Sequence, residues 1–308
     1  IAIGRDSMDA CGSGDYNIAI GSNALGTLAD VASDFNVAIG YDAMGTANHA
    51  STDGCIAIGR STLYTIGTNA QTGTIAIGQQ ALTSLTSGTQ NIAIGYQAGE
   101  QVLAGTANIL IGYLCGDEIT SGSYNTAIGD NALSNEDTGH QSTAVGVEAL
   151  GRQASDASED ADNTAVGMTA GKFNILGQDN TAVGSRAMRG VVDNNHSYNT
   201  AVGKDAMFAV TTGSDNTCVG KDALLDLTDG TGNTAIGIAA GDNITTGDYN
   251  TFLGRLAGRT TLDVDLAVAI GNGAMGSGNV TAAADGTVAI GSDALALLTS
   301  GAGNVAIG

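Results

Sequence analysis

The segment Asn125-Thr126-Ala127-Ile128-Gly129-Asp130-Asn131-Ala132 is one copy of a motif that recurs along the whole chain. The tripeptide Ala-Ile-Gly, or a close variant, occurs eighteen times in 308 residues, with its last glycine at Gly308. Most copies follow the previous one after 17 residues, and the others after 19 to 21. A fixed period of this length predicts a repeat architecture in which each copy is one structural unit.

The motif reads as a short strand, because β-branched residues alternate with small ones. Its Asn, Ala and Gly then face one way, its Thr and Ile face the other, and the Gly ends the strand. Two strands and two turns per copy predict an all-β fold, a parallel β-solenoid (β-roll) of about 17-residue coils. The second, weaker strand is predicted near Leu85, Val102, Ile119, Leu227, Ile244 and Leu298.

Each motif position stacks on itself in successive coils of such a solenoid. An alanine column lets the two layers of a coil approach closely, which predicts a thin coil. Stacked asparagine side chains hydrogen-bond along their column, as they do in cross-β structures. The predicted structural ladder contains Asn17, Asn91, Asn125, Asn163, Asn180, Asn233 and Asn250.

The opposite face carries an almost unbroken column of Ile and Val. Such an apolar stripe indicates an interface, and identical chains around a shared axis are the simplest way to bury it. We therefore expect a homotrimer, with a dimer as the alternative. The predicted interface column contains Ile20, Ile39, Ile58, Ile77, Ile94, Ile128, Val166, Val183, Ile236 and Ile270.

The repeat predicts one domain, a single solenoid rod of about 18 coils over residues 1–308. Coils spaced by roughly 4.8 Å give a rod about 80 Å long. Both ends of the chain cut through a copy, so we expect it to be a segment of a longer protein. The extra residues fall in turns, where insertions cost little. They lie near 27–34, 46–53, 65–72, 152–161, 190–197 and 280–286.

Composition excludes several classes of function. With 31 Asp and Glu against 10 Lys and Arg, the net charge is −21, so phosphate backbones of nucleic acids are not expected partners. No apolar run approaches the ~18 residues that span a bilayer, so this segment is not expected to insert into a membrane. Only 13% of residues are charged, which argues against disorder.

The spacing of the cysteines and histidines does not match a metal site or a disulfide framework. Cys11, Cys55, Cys115 and Cys218 lie far apart and are expected to be small buried residues. The three histidines, at 49, 140 and 196, belong to distant coils, so no cofactor or metal is expected. Calcium at an acidic turn is the one alternative, although no EF-hand loop is present. Its weak candidates are Asp156, Glu159, Asp160 and Asp162.

Two further patterns keep alternative functions open. Glycoside hydrolysis uses a pair of carboxylates. In this chain, Asp and Glu lie mostly in turns, where they would keep a rod soluble, so no enzyme activity is expected. An exposed threonine ladder on a flat sheet suits ice binding. Aromatic residues before the strand, such as Tyr16 and Tyr124, are expected to cover a turn. The threonine ladder contains Thr126, Thr143, Thr164, Thr181, Thr200, Thr217, Thr234 and Thr251.

The motif of residues 125–132 resembles the head repeat of bacterial trimeric autotransporter adhesins. It is also similar to repeats of bacteriophage tail fibres, as is the copy that contains Asn91-Ile92-Ala93-Ile94-Gly95. The resemblance covers essentially the whole chain, although the adhesin unit is shorter, nearer 14 residues. It implies a left-handed β-roll, three intertwined chains, binding to a host surface, and no catalytic residues.

These observations predict a structural and adhesive fibre segment, of a phage tail fibre or a bacterial surface adhesin, which gives a stiff rod and attaches to a host or surface. It would be extracellular, on a virion or cell surface. Its partners would be identical chains and a host-surface glycan or protein receptor. The alternatives are a self-assembling extracellular filament, an ice-binding solenoid and a polysaccharide-degrading tail spike.

Overall fold

A computed structural model describes residues 1–9, 14–26, 33–47, 52–66, 71–155, 160–191, 194–278 and 280–308. Within these ranges the chain is all-β and forms the predicted parallel β-solenoid, with strands that recur about every 17 residues. The chain divides into two compact units, Ile1–Ala161 and Asp162–Gly308. A single rod over residues 1–308 stays a prediction.

In the first unit, the main sheet contains one short strand per coil, each paired in parallel with the next. Two coils with long turns add two further pairs, β4 with β7 and β5 with β8. The strands are β1 (Ala2–Ile3), β2 (Ile18–Ile20), β3 (Val37–Ile39), β4 (Thr46–Ala47), β5 (Thr52–Asp53), β6 (Ile56–Ile58), β7 (Thr65–Ile66), β8 (Gln71–Thr72), β9 (Ile75–Ile77), β10 (Ile92–Ile94), β11 (Ile109–Ile111), β12 (Thr126–Ile128) and β13 (Thr143–Val145).

The second unit repeats the same arrangement, with each strand parallel to the next in chain order. One turn of 3-10 helix, Ala282–Ala284, lies in the long loop before its second-last strand. The strands are β14 (Thr164–Val166), β15 (Thr181–Val183), β16 (Thr200–Val202), β17 (Thr217–Val219), β18 (Thr234–Ile236), β19 (Thr251–Leu253), β20 (Val268–Ile270), β21 (Val288–Ile290) and β22 (Val305–Ile307).

The register stacks each motif position on its own copy, and the motif glycine shows why this position cannot vary. Gly203 has a φ of 142°. A Cβ atom added there would lie 2.6 Å from the carbonyl carbon of Gly220 in the next coil. Because L residues avoid this φ and the backbones nearly touch, glycine is required.

The core of each coil combines a small strand residue with a larger residue from the turn. In the coil that contains β12, the strand residue Ala127 is fully buried. Ala132 and Leu133, from the turn that follows the glycine, are also fully buried. The small strand residue therefore leaves room for a larger turn residue, and the two together fill the space inside the coil.

The asparagine residues before the strands form a hydrogen-bonded ladder inside the solenoid. The Asn233 Oδ1 atom accepts a hydrogen bond from the backbone N–H of Asn250, at 3.0 Å. The Asn233 Nδ2 atom donates to the Gly247 carbonyl, at 2.8 Å. Asn17, Asn91, Asn125, Asn163, Asn180 and Asn250 make the same two kinds of bond. Each side chain therefore links one coil to the next and pairs buried polar groups that would otherwise lack partners.

The turn after the motif glycine uses left-handed backbone conformations at non-glycine residues. Asp205 has a φ of 57° and Met207 a φ of 52°. This region disfavours bulky side chains. Here the backbone N–H of Asp205 donates to Ser185 in the previous coil, and that of Met207 donates to Ala223 in the next. These bonds and the full burial of Met207 offset the conformational cost.

The predicted second strand is wrong for the coils in which it was placed. Leu85, Val102, Ile119, Leu227, Ile244 and Leu298 lie in no strand. Their backbone N–H groups instead close local turns; that of Leu227, for example, donates to Leu224 three residues earlier. A backbone donor used within its own turn cannot join a ladder between coils. Apart from Leu298, these side chains are fully buried. Their apolar character therefore reflects packing inside the coil and not membership of a strand.

Glu136 and Gln153 occupy this apolar column at the point where the longest insertion begins, and both are fully buried. The Gln153 Nε2 atom donates to the Glu136 carboxylate, at 2.7 Å. The same carboxylate accepts hydrogen bonds from the backbone of Gly139 and from Ser155. A buried charge with several donors is tolerated because each lone pair finds a partner, and this one ties the start of the insertion to the coil before it.

Candidate functional site

The outward face of the main sheet is the most regular exposed feature in both units. In each three-residue strand of the main sheet except β22, the middle residue is buried, while the first and third residues are partly or fully exposed. We call the first and third strand residues of each unit the aliphatic face. They are Ile, Val, Leu or Thr in every strand, so each aliphatic face carries no charge.

The column nearest the motif glycine is the more exposed of the two. Ile20 is 36% exposed and Ile236 is 40% exposed. Ile94, Ile128 and Val166 are similarly exposed. The other predicted interface residues are half-buried; they are Ile39, Ile58, Ile77, Val183 and Ile270.

The threonine ladder occupies the other column of the aliphatic face. It includes β12 and β13 in the first unit and β14–β19 in the second, where each Thr pairs with the next in register. In the part of the chain that the structure describes, none of these eight hydroxyls has a hydrogen-bond partner in the protein, and Thr217 is exposed. The hydroxyls therefore face solvent.

Aromatic residues stand just before several strands and leave most of their surface open. Tyr16 is 78% exposed and stacks on Phe35 in the next coil, with ring centroids 5.0 Å apart. The Tyr249 ring lies over Gly232 of the previous coil, where a Cβ atom would approach the ring to 2.6 Å. The Tyr249 ring therefore covers part of a neighbouring turn, whereas the Tyr16 ring packs on another aromatic ring.

Among the described thiols and histidines, Cys55, Cys115, Cys218 and His196 are buried in separate coils, whereas His140 is half-buried. Burial raises the pKa of the Cys55 thiol to about 11 and that of the Cys115 thiol to about 12, and it raises the pKa of Cys218 as well. His196 is fully buried, and burial lowers its pKa to about 4. The His140 Nδ1 atom accepts a hydrogen bond from the backbone of Ser123. Cys11 and His49 lie outside the described residues.

The candidate calcium loop is described only in part. Asp156 and Glu159 lie outside the described residues, and Asp160 and Asp162 are exposed. Among the residues that the structure places, no group of three or more His, Cys, Asp or Glu side chains is arranged to hold a metal ion. The described ranges also contain no helix with the length and apolar character needed to cross a bilayer.

A groove on the turn side of the second unit corresponds to none of the sites predicted from the sequence. Its volume is about 340 Å³, and Arg186 and Phe208 contribute to its walls. Five of the ten Lys and Arg residues of this acidic chain lie between Lys172 and Lys221. That local concentration of positive charge was the one signal in the sequence that pointed to the region.

Comparison with models of protein families finds no matching family, and comparison with curated proteins finds no match. The resemblance to adhesin heads and tail fibres therefore stays a prediction that rests on the motif itself.

Proposed function

We propose that this chain is a structural and adhesive fibre segment that assembles from three identical chains through its aliphatic faces. The observation that carries the proposal is the absence of charge from a face that is present in every coil. Long apolar stripes on soluble proteins mark surfaces that are buried in an assembly. The resemblance of the motif to trimeric adhesin heads and phage tail fibres supports the same assembly.

The repeat favours a second copy of the chain as the occupant of this face. A partner must present apolar side chains with the spacing of parallel strands, about 4.8 Å per coil. An identical chain has that spacing because it consists of the same coils. The face is only two columns wide. In a trimer with a threefold axis, each chain contacts two others, so both columns of the face can be buried.

The proposed role is mechanical, with no catalytic step. Backbone ladders and buried asparagine bonds between successive coils, such as that between Asn216 and Asn233 at 2.8 Å, would resist bending and proteolysis. The turns would contact a glycan or protein receptor on a host surface. This assigns the chain to the outside of a virion or a cell.

Sedimentation of matched variants tests the assembly. The double variant Val219→Glu/Leu253→Glu places charges on the aliphatic face, and we expect it to sediment as a monomer because like charges would meet at the axis. The control Thr212→Glu/Thr246→Glu adds the same charge in the same coils, at exposed turn positions. It is expected to sediment like the wild type. Equal sedimentation of both variants, with native circular dichroism, would contradict the proposal.

Ice binding is a second candidate, favoured by the threonine hydroxyls that face solvent from in-register strands β14–β19. It competes with self-association, because both need the same face. Ice binding predicts a monomer with thermal hysteresis that Thr181→Tyr abolishes and Thr212→Tyr preserves. A trimer without thermal hysteresis excludes this candidate.

A further inference from the structure

The groove of the second unit combines apolar, cationic and anionic walls in a small volume. Its volume of about 340 Å³ lies at the lower end of the range of small-ligand sites, ~300–1,000 Å³. It lies on the turn side of the coils, at positions two, five and six residues after the motif glycine. The lining residues are Arg186, Asp205, Phe208, Asp222, Leu225 and Asp226.

The Arg186 guanidinium is held in place by a buried carboxylate. Its Nε atom lies 2.6 Å from Asp205 Oδ1, and its terminal nitrogen donates to Asp205 Oδ2 at 2.7 Å. The Asp205 side chain is only 7% exposed, whereas that of Arg186 is 41% exposed. This ion pair, with one hydrogen bond, restricts the movement of the guanidinium and leaves its other N–H donors for a ligand.

The apolar part of the groove comes from Phe208 and Leu225, both half-buried. The Arg186 and Arg189 guanidinium carbons each lie 5.4 Å from the centre of the Phe208 ring. Arg189 also lies 4.7 Å from the centre of the Phe173 ring. These cation–π contacts fix the Phe208 ring as one wall of the groove.

Two carboxylates supply hydrogen-bond acceptors. Asp222 uses one oxygen to pair with Lys221, at 2.7 Å. Asp226 is exposed and, within the described part of the chain, has no ion pair or side-chain hydrogen bond. The groove therefore offers acceptors at one end and the Arg186 donors at the other.

These positions depart from the rest of the repeat. Two residues after the motif glycine, Arg occurs only at 186, and five residues after it, Phe occurs only at 208. The Asn, Thr and Gly positions of the motif stay regular in these coils, from Asn180-Thr181 to Val219-Gly220. The solenoid itself does not require an Arg–Phe–Asp combination, which indicates a local role for the groove.

We propose that this groove binds a neutral saccharide, which deepens the proposed adhesive function and rests on it. An anionic ligand would meet the carboxylates of Asp222 and Asp226, and a cationic ligand would meet Arg186 with Lys204 and Lys221 nearby. A neutral sugar satisfies both sets of groups, because each hydroxyl both donates and accepts. Its C–H face packs on Phe208 and Leu225, and the volume suits one or two sugar rings.

A glycan array of neutral and acidic oligosaccharides tests the proposal, followed by titration calorimetry with the best neutral binder. We expect binding to neutral glycans, weakened at least tenfold by Phe208→Ala and by Asp226→Asn. The control Asp229→Asn changes an exposed carboxylate in the same turn that does not line the groove. It is expected to bind like the wild type.

Three results would overturn the proposal. They are binding to no glycan, binding to acidic glycans alone, and equal binding by wild type, Phe208→Ala and Asp226→Asn. Sedimentation of Asp226→Asn shows whether a loss of sugar binding comes from the groove or from a failure of the chains to assemble. This variant keeps the aliphatic face intact, so a protein that assembles but does not bind neutral sugar refutes only the saccharide site.

Discussion

Phe252 fills the space that side chains at Gly241 and Gly258 would need. It replaces the usual alanine in the middle of its strand and is fully buried. A Cβ atom at Gly241 would lie 2.6 Å from the Phe252 ring, and one at Gly258 would also overlap it. In most coils this turn position is Leu or Met, as at Leu224 with a φ of 50°. The larger strand residue is therefore matched by glycine in the turns of its own coil and the coil before.

This relationship predicts strong coupling between the two positions. Gly258→Leu alone is expected to lower the free energy of unfolding by about 1–3 kcal/mol, because it overpacks the coil. Phe252→Ala alone is expected to lower it by about 3–5 kcal/mol, because it leaves a cavity. The double variant restores the usual Ala and Leu pair, so it should lose less than the sum. Urea unfolding of the four proteins measures the coupling, and additive losses would contradict the proposed packing.

The asparagine ladder predicts an unequal cost for two similar substitutions. Asn233→Ala removes the partners of the Asn250 N–H and the Gly247 carbonyl, and we expect a loss of about 1–3 kcal/mol in unfolding free energy. Asn272→Ala, at an exposed turn position, should change stability by less than about 0.5 kcal/mol. Chemical unfolding checks both. Similar losses for the two variants would mean that the ladder contributes little.

The buried His196 predicts a loss of stability in acid. Its pKa is about 4 in the folded chain and about 6.5 unfolded, so the unfolded state takes up the proton first. Through His196, the free energy of unfolding therefore falls by up to about 3 kcal/mol as pH falls from about 6.5 to 4. Burial raises the pKa of Asp117 and Asp242 to about 6, which acts in the opposite direction over this range.

Because several groups titrate together, the informative quantity is the difference between wild type and His196→Gln. The unfolding free energy of the wild type should fall relative to the variant between pH 6.5 and pH 4, and the difference should be constant above pH 7. Unfolding curves at a series of pH values give this difference. A flat difference across the whole range would show that His196 is protonated without unfolding.

The thiols predict a labelling pattern that depends on folding. Cys55, Cys115 and Cys218 are fully buried with raised pKa values, so the reactive thiolate is scarce in the folded chain. In a Cys11→Ser background, iodoacetamide at pH 8 should label none of them in the native protein and all three in denaturant. Mass spectrometry counts the labels. Rapid native labelling would contradict the burial of these residues.

The repeat made the strand and the buried faces predictable, because residues such as Asn125, Ala127 and Ile128 alternate between the inside and the outside. The turns were less predictable. Met207 gives no sequence signal for a positive φ, and the backbone bonds that stabilise it come from other coils. Leu227 was assigned to a strand because burial in a turn and burial in a strand select the same residue types.

The groove and the Glu136–Gln153 pair could not be predicted for a different reason. Both depend on side chains that are 17 or more residues apart and meet only after the coils stack. Arg186 contacts Asp205 because each lies two residues after a motif glycine in adjacent coils. Reading the repeat down its columns, and not along the chain, would have placed these pairs next to one another.

The native mass of the unmodified chain shows whether three copies assemble through their aliphatic faces. Light scattering coupled to size-exclusion chromatography, repeated over a series of dilutions, measures it. We expect a mass three times 30.4 kDa that persists on dilution, because the aliphatic faces of three chains are buried together. A mass of 30.4 kDa at every concentration would contradict it, because the uncharged face of every coil would then remain open to water.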